Sequence, residues 1–209
     1  YGPVAGAWPF SRTTHITVVD AVTLAPQPDA APTWLDANRF ALRLPPTPVA
    51  LRLEREADPA VLFVYSPWLD ARIPDSEIEW LPRAVLLRMQ TQELATDAVL
   101  VAGEVLWGGG ASPSDAESVA CAEVTSTPPS VVEYQSPLLY YQPLASTGEA
   151  SAHFVLSQPA NTPFTLTVRA GALQKSVSYP GFPAGSLVIA PLHFDRTEAP
   201  QNPSCIGER

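Results

Sequence analysis

Three histidines, His15, His153 and His193, are the residues of this chain best suited to metal or proton chemistry, and each falls in a different short strand-like run. Only His193-Phe194-Asp195 sets two potential ligands two positions apart, which on a strand points both to one face; no pair has the spacing of a zinc motif. Asp70, Asp75, Glu77 and Glu79 form an acidic cluster in which Asp75, Glu77 and Glu79 would share a strand face. Converging carboxylates suit calcium, and paired carboxylates serve glycosidases. On a strand, however, such carboxylates stand only about 7 Å apart, with no evident sugar cleft, and the flanking prolines read as a solvated loop. There is no G-x-S-x-G elbow and no H-E-x-x-H helix motif to nominate a nucleophile or a metal-bound water. The expectation is a chain with no catalytic residue, no cofactor and no metal, Asp75, Glu77 and Glu79 being its calcium candidate.

The aromatic residues point elsewhere. Tryptophans exposed on a β-sheet stack sugar rings or anchor protein interfaces, although most tryptophans are core or rim. Trp8, Phe10, Trp34, Trp68, Trp107, Tyr140 and Tyr141 are the candidate interface or ligand residues. Among them Trp8, in Ala7-Trp8-Pro9-Phe10, leads, because an apolar segment ahead of the first strand needs something to cover it. Cys121 and Cys205 are the only cysteines. Paired, they would close a loop of 84 residues, a constraint worth about 4 to 5 kcal/mol in the loop-entropy account. That pairing requires an oxidising compartment. The alternative is an inert core thiol, since Val119-Ala120-Cys121-Ala122-Glu123-Val124 reads as a buried strand.

The elements that would hold these groups are short strands. Twenty-four prolines divide the chain, and proline breaks helix interiors and removes a ladder donor. Thr14–Val19 is a β-branched run; Arg39–Leu44 alternates up to Pro45-Pro46; Val49, Leu51 and Leu53 share a face opposite Arg52. Ala60–Tyr65, bounded by Pro59 and Pro67, is apolar on both faces and reads as a central strand. Arg83–Leu94 fits a strand with Val85, Leu87 and Met89 on one face, and a helix remains the alternative. A second series starts with Ala98–Trp107, breaks at Gly108-Gly109-Gly110, and continues through 118–124, 131–134, 151–156, 164–169, 173–179 and 186–192. Phe164, Leu166 and Val168 against Thr165, Thr167 and Arg169 is the cleanest alternation in the chain. The expected fold is all-β, with little helix: two Greek-key-type antiparallel β-sandwiches packed together, residues 1–96 and 97–195, and an extended tail at 196–209.

Composition narrows the partners. The formal net charge is −9 and Lys175 is the single lysine, so the clustered cations that displace counterions from nucleic acid or an anionic membrane are missing. No run approaches the 18 apolar residues of a membrane span, and Tyr1–Gly6 is not a signal peptide, so a soluble chain is expected. Because the chain starts without Met, an initiator or a leader is expected to have preceded Tyr1.

Gly103-Glu104-Val105, then Ala116 to Val124, then Thr147-Gly148-Glu149-Ala150-Ser151-Ala152-His153-Phe154, with Phe154-Val155-Leu156 and Thr165-Leu166-Thr167-Val168, resemble the carboxypeptidase-regulatory-like modules of the transthyretin-like β-sandwich class over residues 97–193. Val18 to Thr23 and Trp80-Leu81-Pro82-Arg83 look like the leading part of bacterial proteins carrying that module, some encoded beside phage-tail-like contractile systems. The resemblance implies a non-catalytic structural or docking component whose partners are other protein subunits. The alternative is a secreted or surface-anchored module that binds carbohydrate or protein.

Overall fold

The computed structural model describes residues 14–34, 40–42, 44–55, 58–65, 97–108, 116–135, 141–148 and 152–195. Their regular structure is β-strand apart from one 3-10 turn, Pro28–Ala30. No helix among them is long and apolar enough to cross a membrane.

Strands β1 (Thr14–Asp20), β4 (Val49–Arg55) and β5 (Asp58–Val64) form an antiparallel meander. Between β1 and β4 the small antiparallel pair β2 (Thr33–Trp34) and β3 (Phe40–Ala41) stands apart. The long strand β6 (Ala98–Gly108) lines up beside β7 (Ala116–Ser118) and β11 (His153–Pro159), which bond to successive stretches of it. Beyond β11 come β9 (Glu133–Gln135) and β10 (Tyr141–Gln142). Strand β14 (Leu187–Ile189) joins the two groups: it lies between β5 and β6, parallel to both. Strand β15 (Leu192–Phe194) then runs parallel to the far end of β6. Strands from both sides of residue 97 therefore share one ten-stranded sheet.

A second sheet holds β8 (Glu123–Thr127), β12 (Phe164–Ala170) and β13 (Leu173–Tyr179), with β12 in the middle. Its apolar face meets the large sheet: Val124, Phe164, Leu166, Val168 and Tyr179 pack with Val99, Val101, Phe154, Val188 and Phe194 in one buried cluster. Phe63 and Tyr65 of the first half reach into it, with ring centroids 4.9 Å from Phe182 and 5.1 Å from Tyr179. The opposite face of the large sheet carries a second cluster, including Val18, Leu51, Leu62, Leu100, Val155 and Leu187. Burial on both faces is why Leu62–Val64 of β5 and the whole of β14 are apolar.

The all-β expectation holds, and several details differ from the sequence reading. Pairing is not wholly antiparallel, because β14 and β15 are parallel to their neighbours; a strand buried on both faces shows no alternation from which direction could be read. Residues 186–192 do not make one strand. The run breaks at Ala190-Pro191, where proline has no N–H to give the ladder. Residues 119–124 are not one strand either: the chain turns at Ala120-Cys121, Cys121 adopting φ +56°, and passes from β7 in the large sheet to β8 in the small one. Thr147 clamps this turn. Its backbone accepts from Cys121 N–H at 2.9 Å and donates to Ala122 O at 2.9 Å, while its buried hydroxyl accepts from Ala122 N–H and donates to Val119 O, both at 2.8 Å. Pro59, expected outside its strand, lies within β5, and Gly108 ends β6 with φ +76°. The 83–94 run lies outside the described residues.

Candidate functional site

The outward face of the small sheet is a polar grid. Alternation turns Glu123, Thr125 and Thr127 of β8, Thr165, Thr167 and Arg169 of β12, and Gln174, Ser176 and Ser178 of β13 away from the core. The registers align them in rows: Thr127–Thr165–Ser178, Thr125–Thr167–Ser176 and Glu123–Arg169–Gln174. Hydroxyl pairs hold the first two rows together, Thr165 with Ser178 and Thr167 with Ser176, each at 2.9 Å. Cross-strand pairs of this kind contribute a few tenths to about 1 kcal/mol each and order the face.

The two edges of this sheet are treated differently. The β8 edge is covered at Val124, whose N–H donates to Tyr134 Oη at 2.7 Å and whose carbonyl accepts from the phenol at 3.2 Å. Burial pushes the Tyr134 phenol up to about 12, so it stays protonated and able to donate. Next to it, Thr147 occupies the backbone groups of Ala122.

The β13 edge has no neighbouring strand among the described residues. Gly171, with φ +60°, and Ala172 form the tight turn between Ala170 and Leu173, so the Ala170–Leu173 pair closes the hairpin with hydrogen bonds. Antiparallel bonding alternates from there, turning the backbone groups of Gln174, Ser176 and Ser178 outward. Those groups have no hydrogen-bond partner among the described residues. In the large sheet, by contrast, the Val18–Asp20 end of the β1 edge is covered by its own chain, with Gln27 N–H on Val18 O at 2.8 Å and Asp20 N–H on Ala25 O at 2.9 Å.

On the inward face of β13, Leu173 and Val177 are half-buried against the core, and Lys175 stands between them. Its ammonium donates to the His193 carbonyl oxygen at 2.5 Å, spanning the seam between β13 and β15. It meets no carboxylate among the described residues. An inward-pointing charge on an edge strand is a known guard against indiscriminate strand addition.

The histidines do not converge. His15 is exposed on β1, His153 lies on β11 and His193 on β15. No group of three or more His, Cys, Asp or Glu among the described residues could hold a metal ion. His193 does face Asp195, Nδ1 to Oδ1 at 3.7 Å, as its spacing suggested, and its Nε2 contacts Gly108 O. His153 belongs to a polar row on the far face of the large sheet. It is paired in register with Glu104, 3.7 Å from Nδ1 to Oε2, and Glu104 accepts from Ser118 Oγ at 2.5 Å. Glu104 bridges serine and histidine here, so the imidazole is not placed to take the Ser118 proton as a triad base would.

Burial pushes the His153 imidazole below its ordinary 6.5, and Glu104 opposes this only in part. A base depressed in the folded state binds fewer protons there than in the unfolded chain. Its stabilising contribution is complete above about pH 6.5 and is lost as pH falls through that value toward the folded pKa. The urea midpoint is expected to drop between about pH 7.5 and pH 5.5, and His153→Gln to flatten that drop. An unchanged slope in the variant would place the titration elsewhere.

Of the aromatic candidates, Trp34 is half-buried against the second apolar cluster, Trp107 against the first, and Tyr141 of β10 against the second. Trp8, Phe10, Trp68, Trp80 and Tyr140 lie outside the described residues, as do Asp70, Asp75, Glu77 and Glu79. Cys121 is disulfide-bonded, and Cys205 is also outside the described residues. Sequence reasoning missed the open edge. The Thr165, Thr167, Arg169 alternation signalled a solvent face, but which neighbouring strand ends the sheet depends on long-range pairing. No protein-family model matches the chain, and no curated protein matches it.

Proposed function

We propose that this chain is a non-catalytic β-sandwich interaction protein that docks onto other protein subunits by strand addition at β13. The observation that carries the proposal is the contrast between edges: Val124 on the small sheet's β8 edge and Val18 and Asp20 on the large sheet's β1 edge are bonded by the chain's own groups, while on β13 the outward backbone groups of Gln174, Ser176 and Ser178 have no hydrogen-bond partner among the described residues and stand beside an ordered hydroxyl face. Strand addition draws affinity from such main-chain groups and specificity from alternate side chains. The resemblance of residues 97–193 to carboxypeptidase-regulatory-like sandwiches, which accompany other domains without chemistry of their own, supports the same role. So does the likeness of residues 18–23 and 80–83 to proteins encoded beside phage-tail-like systems, which makes an assembled particle the proposed setting. In this reading residues 1–96 and 97–195 act as one rigid body, which presents the edge at a fixed angle.

Ser176→Pro is the test. At an edge position whose N–H faces solvent, proline removes a free donor and blocks an incoming strand while leaving the β12 ladder intact. Native-source material is expected to run as a stoichiometric complex, and the Ser176→Pro chain as a free species with a melting temperature within a few degrees of the parent. A variant that folds and still enters the complex would refute docking at this edge.

A further inference from the structure

The β13 edge is selective as well as open. A strand added antiparallel to it would lie about 4.8 Å away, with alternate residues facing inward beside Leu173, Lys175 and Val177 and the others facing solvent beside Gln174, Ser176 and Ser178. Apolar side chains beside Leu173 and Val177 would extend the core and cover what those half-buried residues still expose. The position beside Lys175 is different. An apolar residue there would strip water from an ammonium that has given only one of its three donors, to His193 O, and that meets no carboxylate among the described residues. A basic residue there would add repulsion. A carboxylate would supply the missing partner.

We infer that the occupant of the β13 edge is an extended segment of a partner protein with an acidic residue between two apolar ones at alternate positions. The inference rests on the proposed reading of β13 as the docking edge. The single lysine of a chain with net charge −9 stands at the middle of its open edge. That placement discriminates by penalising wrong strands as much as by rewarding the right one. A second copy of this chain is a poor occupant. Two-fold pairing centred on Ser176 puts each Lys175 beside a valine of the other copy, and pairing centred on Lys175 opposes two ammonium groups, in both cases between bodies of like net charge.

The experiment uses the whole chain and three capped seven-residue peptides, with threonine at outward positions, valine at the two flanking inward positions, and aspartate, valine or lysine at the central one. Fluorescence anisotropy is expected to show the aspartate peptide binding about fivefold more tightly than the valine peptide, with the lysine peptide weakest and the advantage shrinking at high salt. Lys175→Glu should reverse the order of the charged peptides. Lys175→Met, which keeps the aliphatic stem should the charge reversal disturb folding, should bring the aspartate and lysine peptides level. Equal affinities for all three peptides on the parent chain, an order unaltered by the Lys175 variants, or no binding at millimolar peptide would overturn the inference. If Ser176→Pro abolishes binding while the peptides are not discriminated, the edge stands as the docking site and only the acidic preference fails. If Ser176→Pro leaves the aspartate peptide bound, the edge reading itself fails. A concentration-dependent dimer that Ser176→Pro dissolves would identify a second copy as the occupant and overturn the acidic segment.

Discussion

Reduction of the disulfide at Cys121 is expected to lower the stability of the folded chain by about 4 to 5 kcal/mol, a fall in melting temperature of roughly 10 to 15 °C for a chain this long. Cys121 is disulfide-bonded, and Cys205, the one other cysteine, follows it by 84 positions. Tying residues so far apart removes much of the freedom of the unfolded chain, and the entropy lost grows with the logarithm of the loop. Local geometry adds to the effect. Cys121 sits at the turn where the chain leaves the large sheet for the small one, and Thr147 fixes the backbone on both sides of it. A tether there restrains the crossing that brings β8 against β12. Non-reducing peptide mapping should recover Cys121 joined to Cys205, and calorimetry with and without reductant should show the shift. Cys121→Ser and Cys205→Ser should each cost the same, and the double substitution no more than either. A loss below about 1 kcal/mol on reduction would mean that the bridge constrains little.

The elements that were legible in the sequence are those whose faces differ. Phe164–Ala170 and Val49–Arg55 alternate because one side meets a core, so period two located them and assigned their faces. The apolar runs at 187–189 and 60–65 could be recognised as buried but not placed, since an apolar run carries no mark of its neighbour or its direction. That is why the parallel insertion of β14 between β5 and β6 escaped a reading built on antiparallel hairpins. The turn at Cys121 was hidden for a related reason. Its positive φ is held by Thr147, 26 positions away, and no local residue type announces it.

The same limit applies to the site. A serine- and threonine-rich face can be read from Thr165, Thr167, Ser176 and Ser178, but an edge is defined by the absence of a neighbour. No local sequence mark singles out Tyr134, whose phenol bonds both backbone groups of Val124 and so helps to close one side of the small sheet. Lys175 gave the one local hint. In a strand whose other inward residues are Leu173, Val177 and Tyr179, a charge on the core side belongs where the sheet ends.

Gly103→Ala is expected to destabilise the fold by about 3 kcal/mol or more, despite adding a single methyl group. Gly103 lies in β6 opposite Phe154, at the level where the neighbouring chain passes from β14 to β15. A Cβ there would stand 2.3 Å from Ala190 O, 2.6 Å from Phe154 Cζ and 2.9 Å from Phe154 Cε1. The phenyl ring is fully buried, and the Ala190 carbonyl is backbone, placed by the Ala190 N–H bond to Ala102 O at 2.8 Å. The carbonyl can yield only with the chain that links β14 to β15, and the ring only by displacing the buried side chains packed around it. Phe154→Ala should cost about 3 to 5 kcal/mol through lost burial and a cavity. Combined, the two substitutions should cost less than their sum by about 0.5 to 3 kcal/mol, because removing the ring relieves two of the three contacts and leaves only the carbonyl clash. Chemical denaturation of the two single variants and the double variant completes the cycle. Strict additivity would show that the ring does not lean on Gly103, and a neutral Gly103→Ala would show that β14 and β15 are not held against β6 as closely as their pairing requires.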